Sequence, residues 1–325
     1  MQEDPLYAYL TTDVLPQTDA WCPEPRYAVS RLSGSNNVFL YTEENSGLKI
    51  IGKFFLPEGA VDDGTAVDRL EKEYDALTTM RGYGFDQPPF YIAKPYGKNP
   101  DMNALLTVEF CEGELLSNFM ERSAENDDSD ALFDGLTRLA RFFAFFHNTT
   151  AQTEPVDFEK TVAYTQKLVR QCALLLSATE SADFLALTDM WAQRGCMSAD
   201  NAVYVHGDAT PNNFMIDENG NVITFDMERF MQADRLFDIG RMAAELKHFF
   251  WLQTGDKDAG EPFIGHFLWE YACCFPDRDA AFAAVTERLP FYMGINLMRI
   301  ARNWWLNREI RLRLAQEAFH CLKEE

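Results

Sequence analysis

Cysteine is present in this chain, but in no pattern that would cross-link it or bind a metal. The seven cysteines, Cys22, Cys111, Cys172, Cys196, Cys273, Cys274 and Cys321, are odd in number and never spaced C-x-x-C. That argues against a disulfide framework and a zinc ribbon, and for a reducing, cytoplasmic setting. Histidine is also scarce. His147, His206, His248, His266 and His320 include no ligand-spaced pair, which leaves little for a zinc hydrolase. No apolar run approaches the ~18 residues of a membrane span. The start, MQEDPLYAYL, has neither the basic nor the apolar region of a signal peptide. Basic charge is in deficit, with 29 Lys and Arg against 51 Asp and Glu, a net charge of −22. General nucleic-acid binding, which needs a basic footprint, is not expected. A cationic small molecule is compatible with such a field, although acidity of this size also serves solubility alone.

What is present is enough apolar sequence, 47% of 325 residues, for one large domain or two of ordinary size. Residues 26–56 alternate as strands, broken near Gly34 and Ser35 and again at the turn ENSG. AVDRLEKEYDALTTMRGYG has helical spacing at Val67, Leu70, Tyr74 and Leu77 and stops at Gly82. FYIAKPYG and ALLTVEF read as two further strands. Beyond them the acidic stretch 121–130 reads as a loop. The rest is mainly helical: a helix carrying Leu132, Leu136, Leu139, Phe143 and Phe146, then 157–176, 181–194, DRLFDIGRMAAELKHFFW, and 261 to the end. A small β-rich part followed by a large helical part, interrupted by one hairpin, is an α+β pattern in two lobes.

That hairpin lies within VYVHGDATPNNFMIDENGNVITFDME, residues 203–228. Asn219-Gly220 is a strong two-residue turn signal. A type I′ turn there sets Phe214 opposite Phe225 and Ile216 opposite Ile223 on one face. On the other face it sets Asn213 opposite Asp226 and Met215 opposite Thr224. An amide and a carboxylate then meet at the open end, with Asp208 five residues earlier. Oxygen ligands of this kind suit Mg²⁺, which takes its remaining ligands from water and phosphates. A further carboxylate that is not a ligand can orient or deprotonate a hydroxyl, the division of labour in phosphoryl transfer. The alternative is a surface hairpin with polar ends.

HGDATPNN resembles the His-Gly-Asp-x-x-x-x-Asn loop of aminoglycoside phosphotransferases and choline kinases. TFDMERFMQADRLFDIGR resembles the second half of their signature. The resemblance implies a two-lobed protein-kinase-like fold: an N-lobe over 1–108, a hinge over 109–114 and a helical C-lobe over 115–325. It implies Asp208 as catalytic base, Asn213 and Asp226 as Mg²⁺ ligands, and Asp238 as a brace for the catalytic loop. His206 would pack that loop. Glu228 matches an acidic position that can touch a second metal or water. ATP and Mg are the implied cofactors.

The first lobe supplies the other parts in order. Lys53, in KIIGKFFL, needs an anionic partner if its strand is buried; an edge-strand Lys facing water is the alternative. Glu73 is the family's partner for it, with Glu71 as rival. LLTVEFCEGELL resembles the hinge, so backbone groups of Glu109 and Cys111 would bind adenine, with Val108 behind. Val38 and Ile51 would roof the base. Met215 would floor it, or Phe225 if a bulge shifts the strand. The phosphate loop, RLSGSNNVF, keeps only Gly34 of the usual glycines, which leaves Ser33, Ser35 and Asn36 as donors.

Gly207 stands where protein kinases carry Arg, and Asp226 is followed by Met-Glu. Both favour a small-molecule kinase over a protein kinase. The alternatives are an atypical protein kinase and a catalytically weak nucleotide-binding module. Trp251, Trp269, Tyr271, Tyr292, Trp304 and Trp305 form either a cation-binding cluster or core. Glu112, Glu114, Asp234 and Glu245 could meet an amine. Amino sugar, amino alcohol such as choline, and sugar all stay open as acceptors, and oligomeric state is not legible.

Overall fold

The computed structural model describes residues 5–18, 20, 22–32, 37–57, 59–62, 64–126 and 129–323. The chain forms two compact units: residues 1–113 with 217–230, and residues 114–216 with 231–325. The segment 217–230 thus groups with the first unit, whereas the sequence alone put everything past the hinge in the C-lobe. No helix among the described residues is long and apolar enough to cross a membrane. All seven cysteines are free thiols.

The first unit opens with α1 (Pro5–Tyr9), which continues as tighter and wider helical turns to Gln17. Strands β1 (Tyr27–Leu32), β2 (Asn37–Glu43) and β3 (Lys49–Phe54) follow, then α2 (Thr65–Gly82), β4 (Asp86–Gln87), β5 (Phe90–Ile92), β6 (Pro95–Asn99) and β7 (Leu105–Glu109). The main sheet is antiparallel in the order β1-β2-β3-β7-β6, which makes β3 its central strand. Alternation sorts its two faces. Tyr41, Ile50 and Leu105 join Tyr9, Leu10 and Val14 of the N-terminal helical segment in one apolar cluster. The other face carries Lys53, with Val38 and Leu106 directly opposite it on the neighbouring strands.

The β2–β3 turn is built on Glu43, which is sealed from solvent. Its carboxylate accepts the backbone N–H groups of Arg26, Asn45 and Ser46 and the Ser46 hydroxyl. Burial works to raise this carboxyl, but the N–H groups of Ser46 and Arg26 and the Ser46 hydroxyl outweigh it and hold it at about 2.

The second unit begins with β8 (Glu114–Leu115), α3 (Leu116–Asn126), α4 (Ser129–Thr149), α5 (Phe158–Gln171), α6 (Ala178–Ala192), β9 (Val203–Val205) and β10 (Phe214–Ile216). The chain then contributes β11 (Val222–Thr224) to the first unit, where it pairs in parallel with β5. It resumes in the second unit at β12 (Met231–Ala233), α7 (Leu236–Thr254), α8 (Glu261–Ala272), α9 (Arg278–Ala301) and α10 (Arg308–Lys323). Leu132, Leu136, Leu139, Phe143 and Phe146 of α4 are all buried, as their spacing predicts.

Two local expectations fail. Residues 121–126, expected as loop, belong to α3, because Leu116 and Met120 anchor the helix in the core and its exposed side carries the acidic residues. The hairpin turn is longer than two residues. Gly220 N–H bonds Asp217 O at 3.0 Å, and Asp217 N–H bonds Asn221 O at 3.1 Å. Gly220 has φ +79°, but Asn219 does not share it, so the type I′ geometry is not formed. Asp217 Oδ1 also accepts the N–H groups of Asn219 and Asn221, which favours the wider turn. The two-residue arithmetic that paired Asn213 with Asp226, and Phe214 with Phe225, therefore loses its premise.

Candidate active site

In the first unit the site is organised around Lys53. This residue is buried in the central strand, and its ammonium lies 2.6 Å from Glu73 Oε2 and 2.6 Å from Asp226 Oδ1. Burial works against the charged form, but the Glu73 and Asp226 carboxylates outweigh it and hold Lys53 above the ordinary lysine range. Glu73 is the partner because the buried stripe of α2 runs Ala66, Leu70, Glu73, Leu77 and Met80. Glu71, the rival, instead pairs with Lys98 on β6.

Asp226 follows β11 with φ +61°, a left-handed conformation that Asp tolerates better than most residues. Met227 is fully buried, so Asp226 and Glu228 flank an anchored residue. Glu228 Oε2 lies 2.7 Å from Arg69 Nη2. One ligand oxygen each from Glu73, Asp226 and Glu228 falls within 4.8 Å of the others. Carboxylates are the hard oxygen donors that Mg²⁺ takes, so the donor chemistry of Asp226 fits a divalent cation.

The remaining nucleotide candidates fall as follows. Val38 and Ile51 are half-buried and share the Lys53 face of the sheet. Glu109 N–H is committed to Lys94 O at 2.9 Å, so a hinge role for this residue would use its carbonyl. Cys111 is half-buried, and burial followed by the Glu109 charge pushes its thiol up to about 12, which removes it as a nucleophile. Phe225 lies half-buried beside Asp226 in the first unit, whereas Met215 belongs to the second, paired with Leu115. Ser35, like Ser33, Gly34 and Asn36, lies outside the described residues.

In the second unit the site is the loop after β9. This strand pairs with β12, setting Val205 opposite Met231. Asp238, fully buried at the start of α7, accepts the backbone N–H of His206 at 2.7 Å and of Gly207 at 3.0 Å. Both are charge-assisted hydrogen bonds from the loop backbone to the Asp238 carboxylate. Gly207 has φ +76°, which favours glycine at that bend. His206 is buried against Phe214, and its Nδ1 accepts the Asp208 N–H at 3.3 Å. Asn213 Nδ2 donates to Asp208 O at 2.8 Å, which turns the amide's nitrogen toward the loop.

Two residues that carry this loop escaped the sequence reading. His147 of α4 sits between Asp238 Oδ2, at 3.4 Å, and the Tyr271 hydroxyl, at 3.0 Å. Burial lowers its pKa, against the pull of Asp238. Arg241, one turn after Asp238 on α7, donates to Gly207 O and to Asp208 Oδ1, both at 2.5 Å. It also reaches Asn296 Oδ1 at 3.0 Å and the Tyr164 hydroxyl at 3.2 Å. A signal for it was available: an arginine inside the apolar run of α7 requires buried partners.

Gly240 lets α7 approach α9 here. A Cβ at that position would lie 2.5 Å from Tyr292 Cβ and 2.8 Å from its carbonyl carbon.

Each acidic residue considered for a cationic acceptor already has a basic partner. Glu112 pairs with Lys49, Glu114 with Arg122, Asp234 with Arg288 and Glu245 with Arg299. Tyr271 and Tyr292 are core, while Trp304 and Trp305 are 81% and 67% exposed.

The sequence matches the phosphotransferase enzyme family over residues 29–277. Among curated proteins none matches it significantly. The fold is similar to that of a Plasmodium vivax ethanolamine kinase, with TM-score 0.66, 14% identity, and 98% of this chain and 89% of that one covered. An ADP-bound aminoglycoside phosphotransferase aligns with TM-score 0.59 and 13% identity over 98% and 97% of the two chains. A choline kinase from Streptococcus pneumoniae aligns with TM-score 0.55 and 15% identity over 98% and 99%. With Lys53 held between Glu73 and Asp226, and Asp208 on a loop braced by Asp238, the chain belongs to the phosphotransferase enzyme family and has its kinase-like α+β fold.

Proposed function

We propose that this protein is an ATP- and Mg-dependent kinase that phosphorylates a hydroxyl group of a small molecule. The observation that carries the reading is Lys53, buried in a central strand and held between Glu73 and Asp226. A lysine kept charged in that setting is suited to bind nucleotide phosphates, with Glu73 fixing its direction. Asp226 and Asn213 would hold Mg²⁺, which when bound neutralises charge on the phosphates. Val38 and Ile51, with Phe225 or Met215, would pack against the adenine, and the Glu109–Cys111 backbone would bind its edge.

Asp208 orients the acceptor hydroxyl and takes its proton. The acceptor oxygen forms a bond to the γ-phosphorus as the bond from that phosphorus to the bridging oxygen breaks, and ADP leaves. Asp238 keeps the loop in shape by holding the N–H groups of His206 and Gly207.

The acceptor class stays broad: amino sugar, amino alcohol or sugar. Proteins of similar fold include an ethanolamine kinase, a choline kinase and aminoglycoside phosphotransferases, so those compounds head the screen, with homoserine and sugars beside them. A cationic acceptor gains no support from Glu112, Glu114, Asp234 or Glu245, each already paired with a cation. The location proposed is cytoplasmic, on the odd number and unpaired spacing of the cysteines in the sequence.

The test is an ATP-consumption screen over these acceptors with wild type and Asp208→Asn. Turnover with one acceptor, lost in the variant, is expected. Thermal stabilisation by Mg-ATP without turnover on any acceptor would instead favour a nucleotide-binding module.

A further inference from the structure

Asp226 sits in a left-handed conformation, and such a conformation persists only where its surroundings fix it. One constraint is the Lys53 ammonium on its own carboxylate. Another is Met227, which has no exposed surface. A third is Glu228, whose Oε2 lies 2.7 Å from Arg69 Nη2, with the Glu228 side chain 14% exposed.

Arg69 is placed by more than that ion pair. It stands one helical turn before Glu73 on α2, so both residues project from neighbouring positions of one face. Its guanidinium lies 5.1 Å from the centre of the Phe55 ring, and Lys53 Nζ lies 5.0 Å from the centre of the same ring. The result is a chain of alternating charge whose two ends lie two residues apart in sequence: Asp226 to Lys53, Lys53 to Glu73, one turn of α2 back to Arg69, and Arg69 to Glu228.

We propose that Arg69 is a positioning residue, and that Glu228 acts as its partner in fixing Asp226 rather than as a metal ligand. The two ties between α2 and the Asp226 segment differ in kind. The Glu73 tie runs through Lys53, the group that in the proposed reaction turns to the nucleotide. The Arg69–Glu228 tie is direct and does not depend on what Lys53 holds. It therefore keeps α2 and Asp226 in register while Lys53 changes partners. Glu228 Oε1 in turn lies 3.8 Å from Arg229 Nε, so both oxygens of this carboxylate face a guanidinium.

This inference rests on the proposed nucleotide role of Asp226, and its test has one arm independent of that role. In the free protein, amide hydrogen exchange is followed in residues 226–230 for wild type, Arg69→Met and Glu228→Gln. Faster exchange in both variants, by a similar factor, is expected; exchange equal to wild type in both overturns the proposal.

The second arm measures Mn²⁺ binding by electron paramagnetic resonance in the presence of a non-hydrolysable ATP analogue. Arg69→Met and Glu228→Gln should each weaken Mn²⁺ binding by about 3- to 10-fold, the double variant should be no worse than either, and the exchange Arg69→Glu with Glu228→Arg should restore it. Tighter Mn²⁺ binding in Arg69→Met, with a larger loss in Glu228→Gln, would make Glu228 a ligand and overturn the proposal. A wild type that bound no nucleotide would overturn the kinase reading and leave the exchange result standing.

Discussion

Arg241 holds one oxygen of Asp208. Its Nη1 donates to Asp208 Oδ1 and to Gly207 O, each at 2.5 Å, from a side chain with almost no exposed surface. Burial and the neighbouring Arg299 both lower the guanidinium's pKa, while Asp208 stabilises its charge. An aspartate fixed in this way presents its second oxygen in one direction. Arg241→Met should lower kcat by about 100-fold, within the range of acid–base contributions, and change KM for nucleotide by only a few-fold. Arg241→Lys should recover part of the loss. Steady-state kinetics on the best acceptor decides, and an unchanged kcat would remove Arg241 from the orientation of the base.

Asp208 and Asp226 should separate by phenotype. Asp208→Asn keeps the volume of the side chain and removes the acceptor for a proton, so turnover should fall at least ~100-fold while Mg-nucleotide still binds. Asp226→Ala should instead weaken Mg-nucleotide binding and leave Lys53 with Glu73 as its ion-pair partner. Calorimetric titration with Mg-ATP measures the difference. Equal nucleotide affinity in wild type and Asp226→Ala would take this residue out of the metal site.

Glu43 makes the first unit sensitive to acid. Its folded-state carboxyl is held at about 2, below the 4.5 of an ordinary glutamate. The ionised form is therefore worth stability above pH ~4.5, and that stability is lost as pH falls toward 2. Wild type and Glu43→Gln should differ most in melting temperature near neutral pH, with the gap narrowing in acid. A gap that stayed constant from pH 7 to pH 3 would show that ionisation of Glu43 is not its source.

Gly240 is a packing position. An added methyl group would meet Tyr292 at 2.5 Å and the α9 backbone at 2.8 Å. Gly240→Ala should cost about 1–3 kcal/mol, the usual range for overpacking, as measured by urea unfolding. The displacement would also pull Arg241 away from Asn296, so kcat should fall more than the lost stability explains.

The legible parts of this protein were those whose signal is local. The stripe Leu132, Leu136, Leu139, Phe143 and Phe146 is buried on α4 because spacing alone places it on one face. Glu73 could be named only through resemblance, since a carboxylate on a helix reads as solvent-facing until its lysine is known. The Asn219-Gly220 turn misled because a neighbouring aspartate competes: Asp217 caps the wider loop with its own side chain. Arg241, His147 and Arg69 were missed because each acts across elements far apart in sequence. For a buried charge, sequence states the need for a partner without naming it.

The first unit is assembled from two separate stretches of chain, and this bears on synthesis. A nascent chain that has emerged as far as Gly113 carries the whole five-stranded sheet and Lys53 with Glu73. It lacks β11, the parallel partner of β5, and it lacks Asp226 and Glu228. Those arrive only with residues 217–230, after α3, α4, α5 and α6 of the other unit have been made. An early intermediate on the ribosome should therefore hold a lysine with one carboxylate instead of two and an uncovered edge on β5, a species open to chaperone capture until about two thirds of the chain is out.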